Sequence, residues 1–339
     1  MTGYPITRRQ ALLSIPALAT GAKALAQKGK PPIRVHSLSH MTLTVSDRKR
    51  SVEFYQGLFG LPIQHRQDVS TGLRIGSGPQ YISLSQGRPG ARPAIAHFCM
   101  TVERFSPEGA TSVLAGHGVT KGDPGPMKTW VRKRGPDAGG DKDGTPEFYV
   151  GDPDGINVQL QDVTYCGGAG PLGNVCKPPE PAPTKGLLTL RDLSHFTLGV
   201  SDRQRSTDFY QSVFGMPVQA HQGGTALLAV GATRQFLTMG GLNGARQGMP
   251  NIAHGCFLMD GFNPDKVIKA LADYGIKPRG TAAGPPGPLV SYVSMRMKDR
   301  GGAEGGTPEP YSTDPDGISM QIQDSSYCGG SGVLGEVCP

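Results

Sequence analysis

The chain has 339 residues, a formal net charge of +7, 37% hydrophobic residues, 50 glycines and 30 prolines. That composition describes a globular, loop-rich protein and excludes disordered and membrane-embedded classes. Lys and Arg form no basic helical stripe and no aromatics interleave with them, so the charge does not point to nucleic acid.

At the N-terminus, Arg8 and Arg9 precede a modest apolar run to about Ala19, and Ala24 and Ala26 frame a small-residue cleavage signal just after Lys23. These ordered regions resemble a twin-arginine export signal over residues 1–30, cut near Ala26, the alternative being a chance Arg pair in a structureless leader. No other segment offers the roughly 18 apolar residues that a bilayer crossing needs. The mature protein is therefore expected in the periplasm or secreted, with no membrane span.

The next element is a strand. From Leu38 onward apolar and polar residues alternate, placing His40, Thr42 and Thr44 on one face and Met41, Leu43 and Val45 on the other. Ser46 and Asp47 then cap a helix through Phe54 and Tyr55 that ends at Gly60. Short strands are expected over 61–66, 73–76 and 81–85, followed by a second histidine-bearing strand with His97, Cys99 and Thr101 on one face. Ser106 and Pro107 open a second helix that Gly118 closes. The basic stretch 128–134 with Trp130 reads either as a lid that favours an anionic ligand through Arg132 and Arg134, with Arg296 its counterpart, or as a solvated loop. A last strand sets Asn157, Gln159 and Gln161 opposite Ile156, Val158 and Leu160.

This order then repeats. Residues 38–64 match 193–219 at 18 of 27 positions, and 145–176 match 307–338 at 21 of 32. The repeated unit is a whole domain, too long for a solenoid repeat. The expected organisation is a first domain over 33–176, a proline-rich linker over 177–186 and a second domain over 187–339. His195 and His254 repeat His40 and His97, and Gln321 repeats Gln159. Cys166 and Cys176, like Cys328 and Cys338, are ten residues apart in Gly-rich tails. In an oxidising compartment each pair reads as a disulfide, with a metal site as the rival reading.

Four βαβββ modules with histidine-led first strands, the segment Asp47-Arg48-Lys49-Arg50-Ser51 leading to Phe54-Tyr55, and Asp152-Pro153-Asp154-Gly155 before a last strand together resemble the vicinal oxygen chelate superfamily. That group holds glyoxalases, bleomycin and fosfomycin resistance proteins and extradiol dioxygenases. The resemblance implies an α+β fold of two tandem domains built from four βαβββ modules. It also implies a divalent metal ion (Fe(II), Mn, Ni or Zn) held by His40, His97 and Gln159 in the first domain and by His195, His254 and Gln321 in the second. Glutamine stands at both third positions where the family commonly has glutamate. Either glutamine ligates, or Cys99 or Cys256 completes the site, or no metal binds. Tyr149 and Tyr311 stand where some dioxygenases hydrogen-bond substrate, and ring packing is the alternative. Glu147 and Glu309 read as loop carboxylates, solvated or acting as ligand or base at the cavity mouth. The expected function is an exported metal-dependent enzyme on a small oxygenated organic molecule, extradiol-dioxygenase-like. A glyoxalase-type lyase or isomerase and a non-catalytic small-molecule binding protein are the alternatives.

Overall fold

The computed structural model describes residues 32–242, 248–281 and 284–339; the expected export signal lies outside the described residues. The first domain runs β1 (Val35–Val45), α1 (Arg48–Phe59), β2 (Ile63–Arg66), β3 (Ser70–Arg74) and β4 (Tyr81–Gln86). A second module follows: β5 (Ala94–Val102), α2 (Pro107–Gly116), the two-residue β6 (Thr120–Lys121), β7 (Lys128–Arg134), β8 (Thr145–Gly151) and β9 (Asn157–Asp162). The second domain repeats the plan with β10 (Asp192–Gly199), α3 (Arg203–Phe214), β11 (Val218–Gln222), β12 (Thr225–Ala229) and β13 (Phe236–Gly240). Its second module holds β14 (Asn251–Met259), α4 (Pro264–Asp273), β15 (Lys277–Pro278), β16 (Val290–Arg296), β17 (Thr307–Thr313) and β18 (Ser319–Asp324).

Local chemistry sets the helix ends. Asp47 accepts from the Arg50 N–H at the start of α1, and Gly60 closes it at φ 66°, a left-handed cap that a side chain would strain. Ser106 and Asn263 cap α2 and α4 in the same way, each followed by a proline whose missing N–H costs nothing in the first turn. Residues 128–134, read as a lid or loop, form strand β7 instead, because 129–134 pair antiparallel with β8 and Lys128 pairs with Thr120 of β6. Strand β3 starts at Ser70, ahead of the expected residue 73, through its pairing with β4.

In each domain the first and fifth strands form the centre. Strand β1 pairs parallel with β4 and antiparallel with β5, and β5 pairs parallel with β9. The two modules are thus joined edge to edge into one sheet. The apolar face expected for β1 is core: Met41, Leu43 and Val45 are fully buried. A single antiparallel pair, Ile95 with Ile252, links β5 to β14 across the domains. Beside it Phe98 stacks on Phe196 with ring centroids 5.0 Å apart. Two glutamines exchange bonds across the same seam. Gln80 accepts from the Leu193 N–H and donates to the Leu38 carbonyl, while Gln235 accepts from the Leu38 N–H and donates to the Leu193 carbonyl. The Leu38 and Leu193 N–H groups are each satisfied by a glutamine of the other domain, which ties the two halves together at this seam.

Both cysteine pairs are disulfides, Cys166–Cys176 and Cys328–Cys338, and Cys99 and Cys256 are free and buried. Glu180, in the proline-rich segment, pairs its backbone with Ile63 and its carboxylate with Arg66. Among the described residues no helix is long and apolar enough to cross a membrane.

Candidate functional site

Strand register positions the predicted ligands. In the first domain His40 on β1 lies opposite Cys99 on β5, which lies beside Gln159 on β9, and His97 sits two pairs away on the same face, opposite Thr42. The second domain repeats this with His195, Cys256, Gln321 and the Thr197–His254 pair. Three neighbouring strands therefore aim three side chains into one concavity.

The second domain shows the tighter cluster. His254 Nε2 lies 3.4 Å from His195 Nε2 and 3.1 Å from Gln321 Oε1. In the first domain His40 Nε2 is 3.1 Å from Gln159 Oε1, the His40 and His97 rings are 5.6 Å apart edge to face, and His97 Nε2 is buried with no hydrogen-bond partner. Adjacent ligands on an octahedral ion with bonds of about 2.1 Å are about 3 Å apart, so the two spacings around His254 suit neighbouring ligands of such an ion. On the far side of each first histidine, a serine hydroxyl meets Nδ1 at 3.1 Å, Ser39 for His40 and Ser194 for His195, and orients the ring. Burial pulls His40 and His195 well below the usual imidazole range and His97 and His254 down to about 4. All four are neutral at neutral pH, with lone pairs available to a cation. The donor set thus fits a divalent ion in geometry and protonation, and it brings no negative charge.

Cys99 and Cys256 do not complete the set. Each is buried with its Sγ on the backbone carbonyl of the following residue, and neither lines the cavities around His40 and His195.

Glu147 and Glu309 correct the sequence reading. Both lie on strands, β8 and β17, and both are buried. Arg134 Nε binds Glu147 Oε1 at 2.8 Å, and Arg296 Nε binds Glu309 Oε1 at 2.7 Å, with both arginine side chains fully buried. A guanidinium cannot shed its charge, so burying it required the carboxylate beside it. In the first domain Arg132 also reaches Glu147, through Oε2 at 3.3 Å, leaving neither oxygen free to ligate. In the second, Ser294 replaces Arg132, and Arg296 and the Tyr327 hydroxyl both engage Oε1.

Tyr149 and Tyr311 face Gln159 and Gln321 across the β8–β9 and β17–β18 pairings. Their rings meet His97 and His254 edge-on at 5.3 and 5.2 Å. Burial raises both phenols well above their usual value, so they stay protonated donors. Sequence reading missed the rings around the first histidine: His40 stacks on Tyr81 at 4.4 Å and lies 5.8 Å from Tyr165, and His195 meets Phe236 and Tyr327 in the same way. The repeated Tyr–Cys–Gly–Gly motif carried a signal for Tyr165 and Tyr327, masked by the adjacent cysteine. The cavity around His40 measures about 50 Å³ and that around His195 about 300 Å³.

A family model for the glyoxalase/bleomycin resistance protein/dioxygenase superfamily matches residues 37–160 and again 192–322. The chain belongs to this superfamily. A relative within it, glutathione transferase FosA of Serratia marcescens, is 30% identical over 129 residues, covering 37% of this chain and 80% of the relative. Among solved structures of the superfamily fold, a variant of homoprotocatechuate 2,3-dioxygenase from B. fuscum aligns with a TM-score of 0.58 at 19% identity, over 87% of this chain and 73% of that one. The anaerobic complex of that dioxygenase from Brevibacterium fuscum with 3,4-dihydroxyphenylacetate aligns at 0.57 and 19%, over 87% and 82%. At these identities the structural likeness carries the fold: two tandem superfamily domains in one chain.

Proposed function

We propose that the chain is an exported, metal-dependent enzyme of this superfamily that acts on a small oxygenated organic molecule, with extradiol-dioxygenase-like ring cleavage as the preferred chemistry. The observation that carries the reading is the convergence of His195 and Gln321 on His254, whose Nε2 lies 3.4 Å from His195 Nε2 and 3.1 Å from Gln321 Oε1 on neighbouring strands, all three donors being neutral. A divalent ion bound there supplies Lewis acidity and open positions for two adjacent substrate oxygens. The chain supplies the rest. Ser194 holds the His195 ring, Tyr311 donates a hydrogen bond to a substrate oxygen, and Glu309 accepts a proton while Arg296 fixes its other oxygen. Because all three ligands are neutral and Arg296 is already paired with Glu309, an anionic substrate would balance the charge of the ion. The two disulfides are compatible with an oxidising compartment reached by twin-arginine export.

The neutral glutamine in both domains favours a second reading, a binding protein that holds its ligand without turnover. Metal analysis of the mature exported protein tests both, beside the His195→Ala and His254→Ala variants. Stoichiometric iron or another divalent metal, lost in the variants, supports the enzyme, and a metal-free parent overturns it. With iron present, oxygen uptake on catechols marks a dioxygenase, and its absence leaves lyase or isomerase chemistry.

A further inference from the structure

We propose that the seam between the domains is a substrate subsite of the second domain, built to hold the apolar body of a bicyclic or aryl-substituted aromatic molecule whose oxygens reach His254. The inference rests on the reading of the second domain as the working site and adds the class of molecule it takes.

A cavity of about 320 Å³ lies along the seam and shares Ala253, His254 and Tyr311 with the cavity around His195. The two cavities thus adjoin at His254, one of the three residues of the ligand cluster. Its far wall comes from the other domain, through Ala94 and Ile95 at the start of β5, and its near wall from Ile252 and Ile318. From His254 an aromatic series runs outward: Tyr311 meets it edge-on at 5.2 Å, Tyr292 stacks on Tyr311 at 5.2 Å, and the Arg279 guanidinium lies 5.3 Å over the Tyr292 ring. Stacked rings beside aliphatic walls favour a flat apolar guest, and the polar groups converge at the histidine end. The volume is about twice the roughly 150 Å³ in which a protein holds one benzene ring.

Side-chain size separates the two domains. The positions equivalent to Tyr292, Ser294 and Ser319 carry Trp130, Arg132 and Asn157 in the first domain, each larger. Arg132 there bridges to Glu147 across the space that Ser294 leaves open. The duplication has thus left one domain with a small polar cavity and opened the other toward its partner.

Isothermal titration of the mature protein with catechol and with 2,3-dihydroxynaphthalene tests the proposal, with metal content measured on the same samples. The parent is expected to bind the naphthalenediol at least tenfold more tightly than catechol. Ser294→Trp, which fills the seam from the second domain, should abolish that preference while changing catechol affinity less than threefold. Ile95→Trp, which fills it from the first domain, should do the same and serves if the former variant unfolds on heating at a much lower temperature than the parent. Equal affinities in the parent, no naphthalenediol binding, or a preference that survives both substitutions would overturn the subsite. A preference lost on filling in a metal-free protein supports the subsite and removes the metal reading. Bound metal with no preference does the reverse.

Discussion

The Tyr210 hydroxyl of the second domain donates to the buried Asp152 carboxylate of the first at 3.2 Å, and Tyr55 returns the bond to Asp314 at 3.3 Å. Both aspartates open an Asp-Pro-Asp-Gly turn, where Oδ1 accepts two backbone N–H groups of the turn itself. The turn that precedes each last strand is therefore also a contact between domains. Next to it Arg205 and Ser201 hold Asp154, and Arg50 and Ser46 hold Asp316, so the exchange is two-fold in plan.

Burial raises Asp152 from 3.8 to about 6, against the pull of its backbone hydrogen bonds. The folded state thus binds this proton more tightly than the unfolded state. The favourable contribution is complete below about pH 4 and is lost as pH rises toward 6, where ionising the buried group costs on the order of 3 kcal/mol. Asp152→Asn keeps the Oδ1 acceptor and removes the charge. Urea unfolding should show the variant gaining roughly 1 to 3 kcal/mol relative to the parent between pH 4 and pH 7. Parallel stability curves would refute the assignment.

Gln321→Glu would place a carboxylate on the ligand cluster. Charge is the quantity the donor set lacks, so affinity for Mn²⁺ should rise at least about tenfold, roughly 1.4 kcal/mol, in a calorimetric titration. Unchanged affinity would mean that position 321 does not face the ion.

Arg134→Met leaves the Glu147 carboxylate buried beside the half-exposed Arg132 alone and also breaks the bonds to the Gly139 and Gly168 carbonyls. Denaturant unfolding should register a loss of about 3 to 5 kcal/mol. Adding Glu147→Gln should recover part of that loss, because the uncompensated charge goes with it; a double variant no more stable than the single one would argue against the ion pair as the cause.

Opening the Cys166–Cys176 loop with paired serines removes a cross-link of sequence separation 10, worth about 2 to 3 kcal/mol. The effect should extend to the site, since Tyr165 packs 5.8 Å from His40 and Gly168 accepts from Arg134. Amide exchange of the β1 strand should accelerate in the variant; unchanged protection there would separate the tail from the site.

Much of the candidate site was legible in local patterns. Alternation along β1 put His40 and Thr42 on the cavity side and Met41, Leu43 and Val45 in the core, and the repeat doubled that information. Caps at Asp47 and Ser106 followed from one side-chain oxygen reaching an N–H three residues on. Glu147 and Arg134 were misread because each alone has the signature of a solvated residue. They are 13 positions apart and become one buried pair only when β7 folds against β8.

By itself the amino-acid sequence determined the strand faces, the helix ends, the domain duplication and the histidines that begin each site, since period and capping act within a few residues. Only the tertiary structure decided that Gln321 closes on His254, that both carboxylates are pinned by arginine, and that Ile95 of one domain walls the cavity of the other. Those outcomes depend on desolvation and on contacts between segments from 13 to more than 150 residues apart, such as Arg134 with Glu147 and Ile95 with Ile252, and no local period records them.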